Sequence, residues 1–289
     1  MRTYPALDLA WPARPDDAHL ERMLAEIDID GPTGLEERAA GARVFFASAD
    51  LRRRAAIRII ALDPSATCTP VEVSDEDWAE RSQADLRPVT VGRLIVDPTD
   101  RPREKTADII FIRPSMGFGT GHHASTRLCL GLMQRISLSG RRVLDVGTGS
   151  ALLAIAACRL GAAGAVGIDH DEDALVAAKE SVDANDEAGR VTLIAFDLSA
   201  KAPVPGAPFD VVLANLTGAL LIREATTLVG ATARGGQLIA SGFMTEEEDS
   251  IVGAFERSGL RSADRLEEDG WGALLFIRTS TLLPTPERP

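Results

Sequence analysis

Val143-Leu144-Asp145-Val146-Gly147-Thr148-Gly149-Ser150-Ala151 reads as a buried strand that runs into a glycine turn and then into an apolar helix. Short apolar runs rich in β-branched residues suit strands covered on both faces. Gly147 and Gly149 allow a sharp turn and close approach of a ligand to the backbone, which a Cβ would prevent. In open α/β sheets such a turn lies at the carboxyl edge, where ligands bind. Asp169 closes the next strand-like run, where a carboxylate can accept both hydroxyls of a ribose. Together these residues point to an adenosine-containing cofactor.

The alternation continues outward from this stretch. Strand-like runs fall at 142–146, 165–169, 191–196, 210–214 and 237–241, and helical patterns at 150–160, 171–184, 217–233 and 246–258. Strands alternating with helices of this length imply a parallel sheet. The end of the chain departs from that rule. Runs at 260–266 and 271–278 flank Asp269-Gly270, a hairpin signal, so the last strand should return antiparallel. The N-terminal part predicts strands at 4–9, 34–37, 44–47 and 69–73 and helices at 16–27 and 50–61. That order suits a small ferredoxin-like α+β domain. Ser74-Asp75-Glu76-Asp77 has the form of a helix start, with a serine cap and acids in the first turn. The expected partition is a domain over 1–75, a linker helix and connecting segment over 76–106, a second domain over 107–279 and a disordered tail over 280–289.

Composition removes several classes. The 289 residues carry 31 Lys+Arg against 43 Asp+Glu, a net charge of −12. Nucleic-acid binding rests on clustered basic residues, so a general nucleic-acid binder is not expected. Cys68, Cys129 and Cys158 form no C-x-x-C pair, which argues against a zinc site or a disulfide framework and for a reducing cytoplasm. The four histidines, His19, His122, His123 and His170, likewise offer no metal set. His122 and His123 are better read as ordering their loop. No apolar run approaches the ~20 residues of a membrane helix, and the N-terminus lacks the order of a secretory signal.

Two cofactors compete at the glycine turn. A nicotinamide dinucleotide needs a helix N-terminus facing its pyrophosphate and a small residue at the third glycine position, here Ala151. S-adenosylmethionine has no pyrophosphate and carries cationic centres. Asp145 before the glycines and an antiparallel last strand fit it better. Asn215, directly after the fourth strand, offers one acceptor and two donors at the same edge, or else caps the helix that follows. Gly117 to Gly121 is glycine-rich but lacks the Gly-Lys-Ser/Thr ending of a phosphate loop.

The runs FGTGHHASTRLCL (118–130), VLDVGTGSALLAIAACRLGA (143–162), VGIDHDEDALVAA (166–178), FDVVLANL (209–216) and GGQLIASGF (235–243) closely resemble the bacterial ribosomal protein L11 methyltransferases (PrmA). The resemblance spans roughly residues 78–278. Its Phe-Gly-Thr-Gly-x-His block also occurs in related lysine methyltransferases that act on electron transfer flavoprotein. It implies a Rossmann-like class I methyltransferase sheet of seven strands, with S-adenosyl-L-methionine as cofactor. It implies cofactor contacts at Thr126, Gly147, Gly149, Asp169 and Asn215, with Asp197 near the adenine. No separate catalytic residue and no metal ligand are expected. The implied activity is N-methylation of lysine or N-terminal amino groups of a ribosomal protein by a cytoplasmic monomer, with the small N-terminal domain holding the protein substrate. The alternatives are another cytosolic protein, a small-molecule acceptor, a cofactor-binding module without turnover, and a nicotinamide dehydrogenase. Ala151 departs from the family's third glycine, and Thr217 from its usual Asn-Ile-Leu.

Overall fold

The computed structural model describes residues 3–12, 17–27, 30–38, 41–74, 87–98, 108–112, 121–200 and 202–279. The helix start at 74–77, the glycine-rich residues 117–120 and the tail at 280–289 therefore fall partly or wholly outside the described residues. The described residues up to Ser74 and those from Arg87 onward belong to two separate compact units.

The first unit runs β1 (Thr3–Ala10), α1 (Asp17–Ile27), β2 (Pro32–Arg38), β3 (Gly41–Phe46), α2 (Ala49–Leu62) and β4 (Thr67–Ser74). Its sheet has the order β2-β3-β1-β4 with every pair antiparallel, which is the ferredoxin-like arrangement. Alternation along the strands sends Leu7, Leu9, Val44 and Phe46 into one core with Met23 and Ile27 of α1 and Ala55 and Ile59 of α2. Ser48 caps α2 by accepting from the Leu51 amide at 3.3 Å. Asp63 closes it: one carboxylate oxygen accepts from Trp11 Nε1 at 2.7 Å, the other from Ser65 Oγ at 2.6 Å.

The second unit opens with β5 (Val89–Val91), β6 (Leu94–Asp97) and β7 (Ile109–Phe111), a three-stranded sheet in that order. Part of the stretch expected to connect two domains thus forms strands, because Leu94 and Val96 are fully buried in the core of this unit. The Asn185 side chain pins β7 by accepting from the Phe111 amide at 2.9 Å and donating to its carbonyl at 2.7 Å.

There follow α3 (Ala124–Met133), β8 (Arg142–Val146), α4 (Leu152–Arg159), β9 (Gly164–Asp169), α5 (Glu172–Ala184), β10 (Val191–Ala195) and β11 (Phe209–Asn215). The chain then continues through α6 (Gly218–Arg223), α7 (Ala225–Ala231), β12 (Thr232–Met244), α8 (Glu248–Arg257), β13 (Leu260–Glu268) and β14 (Trp271–Arg278). The seven-stranded sheet has the order β10-β9-β8-β11-β12-β14-β13. Its first five strands are parallel, and β14 lies antiparallel between β12 and β13. Both faces are covered. Val143, Val211, Leu213 and Ile239 meet α3 and α4 on one side, and Leu144, Val212, Ala214 and Leu238 meet α6, α7 and α8 on the other. The hairpin turn places Asp269 and Gly270 at φ of 51° and 81°, the positive values a two-residue turn demands. The helix expected over 217–233 is two helices. Glu224 leaves the helical region between them, and residue 232 already begins β12.

Strand order reverses at β8, which has β9 on one side and β11 on the other. The carboxyl ends of β8 and β11 therefore frame the crevice in which open α/β sheets bind ligands.

Candidate functional site

Two hydrogen-bonded groups of residues occupy this crevice. The first is the turn after β8. Gly147 and Gly149 have φ of 66° and 50°, and Ala151 follows at 63°. The Thr148 amide donates to the Ile168 carbonyl at 3.0 Å, which ties the turn to the end of β9. Asp169 reaches back to it: Oδ2 accepts from the Gly149 amide at 3.0 Å and Oδ1 from the Asp171 amide at 3.1 Å. Asp145 lies beneath and is fully buried. Its Oδ2 accepts from Thr148 Oγ1 at 2.7 Å and from the Ala154 amide at 3.1 Å. Burial pushes its carboxyl up to about 6, and the nearby Asp169 adds to the shift. Asp145 is therefore an internal strut of the turn, where the sequence suggested an acid available to a cationic ligand.

The second group stands at the end of β11. Asn215 Nδ2 donates to Thr126 Oγ1 at 3.3 Å, joining two residues singled out in the sequence. The Leu216 amide donates to the Ser241 carbonyl of β12 at 2.9 Å. The Leu216 side chain lies over Gly147, where an added Cβ would come within 2.6 Å of Cδ2. Leu216 thus links the asparagine group to the glycine turn. Asn215 serves no capping role, since α6 is entered from Thr217 without a side-chain cap.

Thr126 is placed by the start of α3. His123 is the N-cap residue; its Nδ1 accepts from the Ser125 amide at 3.3 Å, and its ring stands edge-on to Trp271 with centroids 4.5 Å apart. Burial, with Arg127 beside it, holds the His123 imidazole below the usual histidine range. Arg127 grips Glu268 at the tip of the β13–β14 hairpin through Nε at 3.0 Å and Nη2 at 2.8 Å, and also donates to the His122 carbonyl. His122 Nε2 lies 3.0 Å from the Arg87 carbonyl. Both histidines therefore order their loop. Asp197, after β10, is turned onto Ser199, accepting from its amide at 2.8 Å and its hydroxyl at 2.7 Å. Neither Gly242 nor the Arg127–Glu268 pair was marked from sequence. The signals for Gly242 were its place directly after a strand-like run and within the family-like run at 235–243.

The family model for ribosomal protein L11 methyltransferase (PrmA) matches residues 37–279. This chain belongs to that family. The ribosomal protein L11 methyltransferase of Geobacter sulfurreducens is 42% identical over 216 residues, covering 74% of this chain and 69% of that protein. That of Deinococcus radiodurans is 36% identical over 272 residues, covering 89% and 91%. The crystal structure of the ribosomal protein L11 methylase from Lactobacillus delbrueckii subsp. bulgaricus superposes with a TM-score of 0.60 at 26% identity, over 67% of this chain and 100% of the other.

The family's fold is the class I methyltransferase sheet, and its cofactor is S-adenosylmethionine. The residues in the crevice suit that cofactor chemically. Asp169, Asn215 and Thr126 present a carboxylate, a carboxamide and a hydroxyl, groups that accept from ribose hydroxyls and attract cationic centres. Among the described residues no group of three or more His, Cys, Asp or Glu could hold a metal, and no helix is long and apolar enough to cross a membrane.

Proposed function

We propose that this chain is an S-adenosylmethionine-dependent protein N-methyltransferase acting in the cytoplasm on lysine or N-terminal amino groups of ribosomal protein L11. The Asn215–Thr126 hydrogen bond at the switch point of the sheet carries the reading. In this reading Asp169 takes the ribose hydroxyls, the backbone of Gly147 and Gly149 lets the cofactor approach, and Thr126 and Asn215 lie at its methionine end. The N-terminal unit holds the protein substrate.

When bound, the cofactor supplies a methyl group already activated on a sulfonium. The chain's own task is orientation, which is where proximity gives most of its rate advantage. With Nδ2 engaged by Thr126, the Asn215 amide turns its oxygen away as an acceptor, the atom that would orient an incoming neutral amine. A lysine ammonium titrates near 10.4 in water, and desolvation at the mouth of the crevice favours its neutral form. Asp145 is a poor proton acceptor for that amine, because its carboxylate is buried against Thr148 and Ala154.

Incubation with labelled cofactor and purified ribosomal protein L11, followed by mass analysis, tests the substrate. Methylated lysine or N-terminal residues are expected, and unlabelled L11 alongside a bound cofactor would remove L11 from the proposal. Calorimetry with S-adenosylhomocysteine tests the site. Asp169→Ala should weaken binding about tenfold or more, the loss expected when hydroxyls lose a charged acceptor.

A further inference from the structure

Gly242 sits in β12 beside the end of β11, and its φ is +90°. A Cβ built on it would lie 2.5 Å from the Leu216 carbonyl oxygen and 2.9 Å from Asn215 Oδ1. Two acceptor oxygens therefore converge on the one spot that a side chain at position 242 would fill. The same segment is held from the other directions as well. The Leu216 amide bonds to the Ser241 carbonyl, and Asn215 Nδ2 bonds to Thr126 Oγ1. With the amide nitrogen fixed by Thr126, the direction of Oδ1 is set by what lies behind it, and that is the bare Cα of Gly242.

We propose that Gly242 is a positioning residue for methyl transfer, its missing side chain leaving the space in which the Asn215 amide oxygen and the Leu216 carbonyl oxygen are aimed at the incoming amine. The inference rests on the methyltransferase reading above. It adds a residue on a neighbouring strand, outside the glycine turn and apart from Asp169 in the sequence. A methyl group at position 242 pushes both oxygens aside without removing either, so it changes how an amine is presented while Asp169 and the backbone of Gly149 are left as they are.

Gly242→Ala also strains a backbone that L residues rarely adopt, and this cost has to be separated from the collision. Gly259→Ala supplies the control: Gly259 has φ of +100° and nothing within 4 Å of a built Cβ. Both variants are expected to melt below the parent protein. With labelled cofactor and purified L11, Gly242→Ala should lose about tenfold or more in kcat, as sub-ångström misplacement of a reacting group does. Its KM for L11 and its affinity for S-adenosylhomocysteine should stay within about threefold. Gly259→Ala should keep its kcat.

A second readout needs no turnover. The chain has two asparagines, Asn185 and Asn215, so asparagine-selective 15N labelling reports two side-chain amides. Gly242→Ala should shift the Asn215 pair and leave the Asn185 pair in place, while Gly259→Ala should move neither. If Gly242→Ala does not fold, Asn215→Gln decides the matter, since it keeps the amide but drives its oxygen one methylene further toward Gly242. Asn215→Gln should then lose kcat to a similar degree. Undiminished kcat in folded Gly242→Ala or in Asn215→Gln, or an unmoved Asn215 amide in folded Gly242→Ala, overturns the inference. A parent protein that binds cofactor but methylates no protein overturns the functional reading instead.

Discussion

Asn215 and Thr126 stand 89 positions apart and meet through one hydrogen bond, Nδ2 to Oγ1 at 3.3 Å, which joins the end of β11 to the first turn of α3. Thr126 is nearly fully buried, so its hydroxyl is shielded from water, while Asn215 is half-buried. Thr126→Val keeps the shape and removes the acceptor. A lost buried partner costs about 1–3 kcal/mol, so kcat should fall about tenfold or more. Thr126→Ser retains the hydroxyl and should stay within about threefold of the parent. Steady-state kinetics on L11 check both variants, and an active Thr126→Val would show that the amide orients itself.

The Arg127–Glu268 pair holds the start of α3 against the tip of the β13–β14 hairpin. Both side chains are partly exposed, at 24% and 39%, so the pair is worth about 1 kcal/mol despite its two-point geometry. Glu268→Gln should lower Tm by about 2–4 °C. Arg127→Ala should lower it further, because Arg127 also donates to the His122 carbonyl. Thermal melts at low and high salt test this, and the Glu268→Gln deficit should shrink as salt screens the pair.

The parallel strands, the returning hairpin and the small α+β unit were legible because each rests on a local pattern. Apolar runs, an Asp-Gly turn and 2- or 3.6-residue periodicity all report on neighbours in the chain. Strands β5 and β7 were missed because each has three residues, too few to show a period. The break at Glu224 was missed because it depends on one residue's backbone angles inside a continuous apolar stretch. Of the candidate site, Gly147, Gly149, Asp169 and Asn215 stand out by their places in the sequence, and Thr126 follows only from the family resemblance. The partners that aim them are set by tertiary contacts. Arg127 and Glu268 lie 141 positions apart, and Gly242 matters through the oxygens its backbone faces. Asp145 was read with the wrong surroundings, since its burial beneath Thr148 and Ala154 is invisible in a linear motif.

His123 caps α3 only while Nδ1 can accept, which requires a neutral ring. Its folded-state value is depressed, so the folded protein binds the proton less readily than the unfolded chain. The stability it contributes is present above about 6.5, the ordinary histidine value, and is lost as pH falls from there through the depressed folded value. His123→Asn offers an uncharged cap and should flatten that part of the pH profile. Denaturant midpoints between pH 5 and 8 provide the comparison, and parallel profiles for the two proteins would exclude the capping role.

Asp145 gives the opposite slope. Its folded-state value is raised from 3.8 to about 6, chiefly by burial. Between those values the folded protein holds a proton that the unfolded chain has released, so stability falls as pH rises through the window and levels off above it. At 1.36 kcal/mol per unit, the full effect is about 3 kcal/mol. Asp145→Asn removes the charge at little structural cost, because Oδ2 alone accepts from both Thr148 and Ala154 and an amide oxygen can take its place. The variant should match the parent near pH 4 and become the more stable of the two by pH 7. Its S-adenosylhomocysteine affinity should be close to unchanged, because the Asp145 carboxylate is engaged inside the turn by Thr148 and Ala154. Urea midpoints at pH 4, 5, 6 and 7 measure the first expectation and calorimetry the second. A large loss of affinity with no change in the pH profile would place the Asp145 charge at the ligand itself, as the sequence motif first suggested.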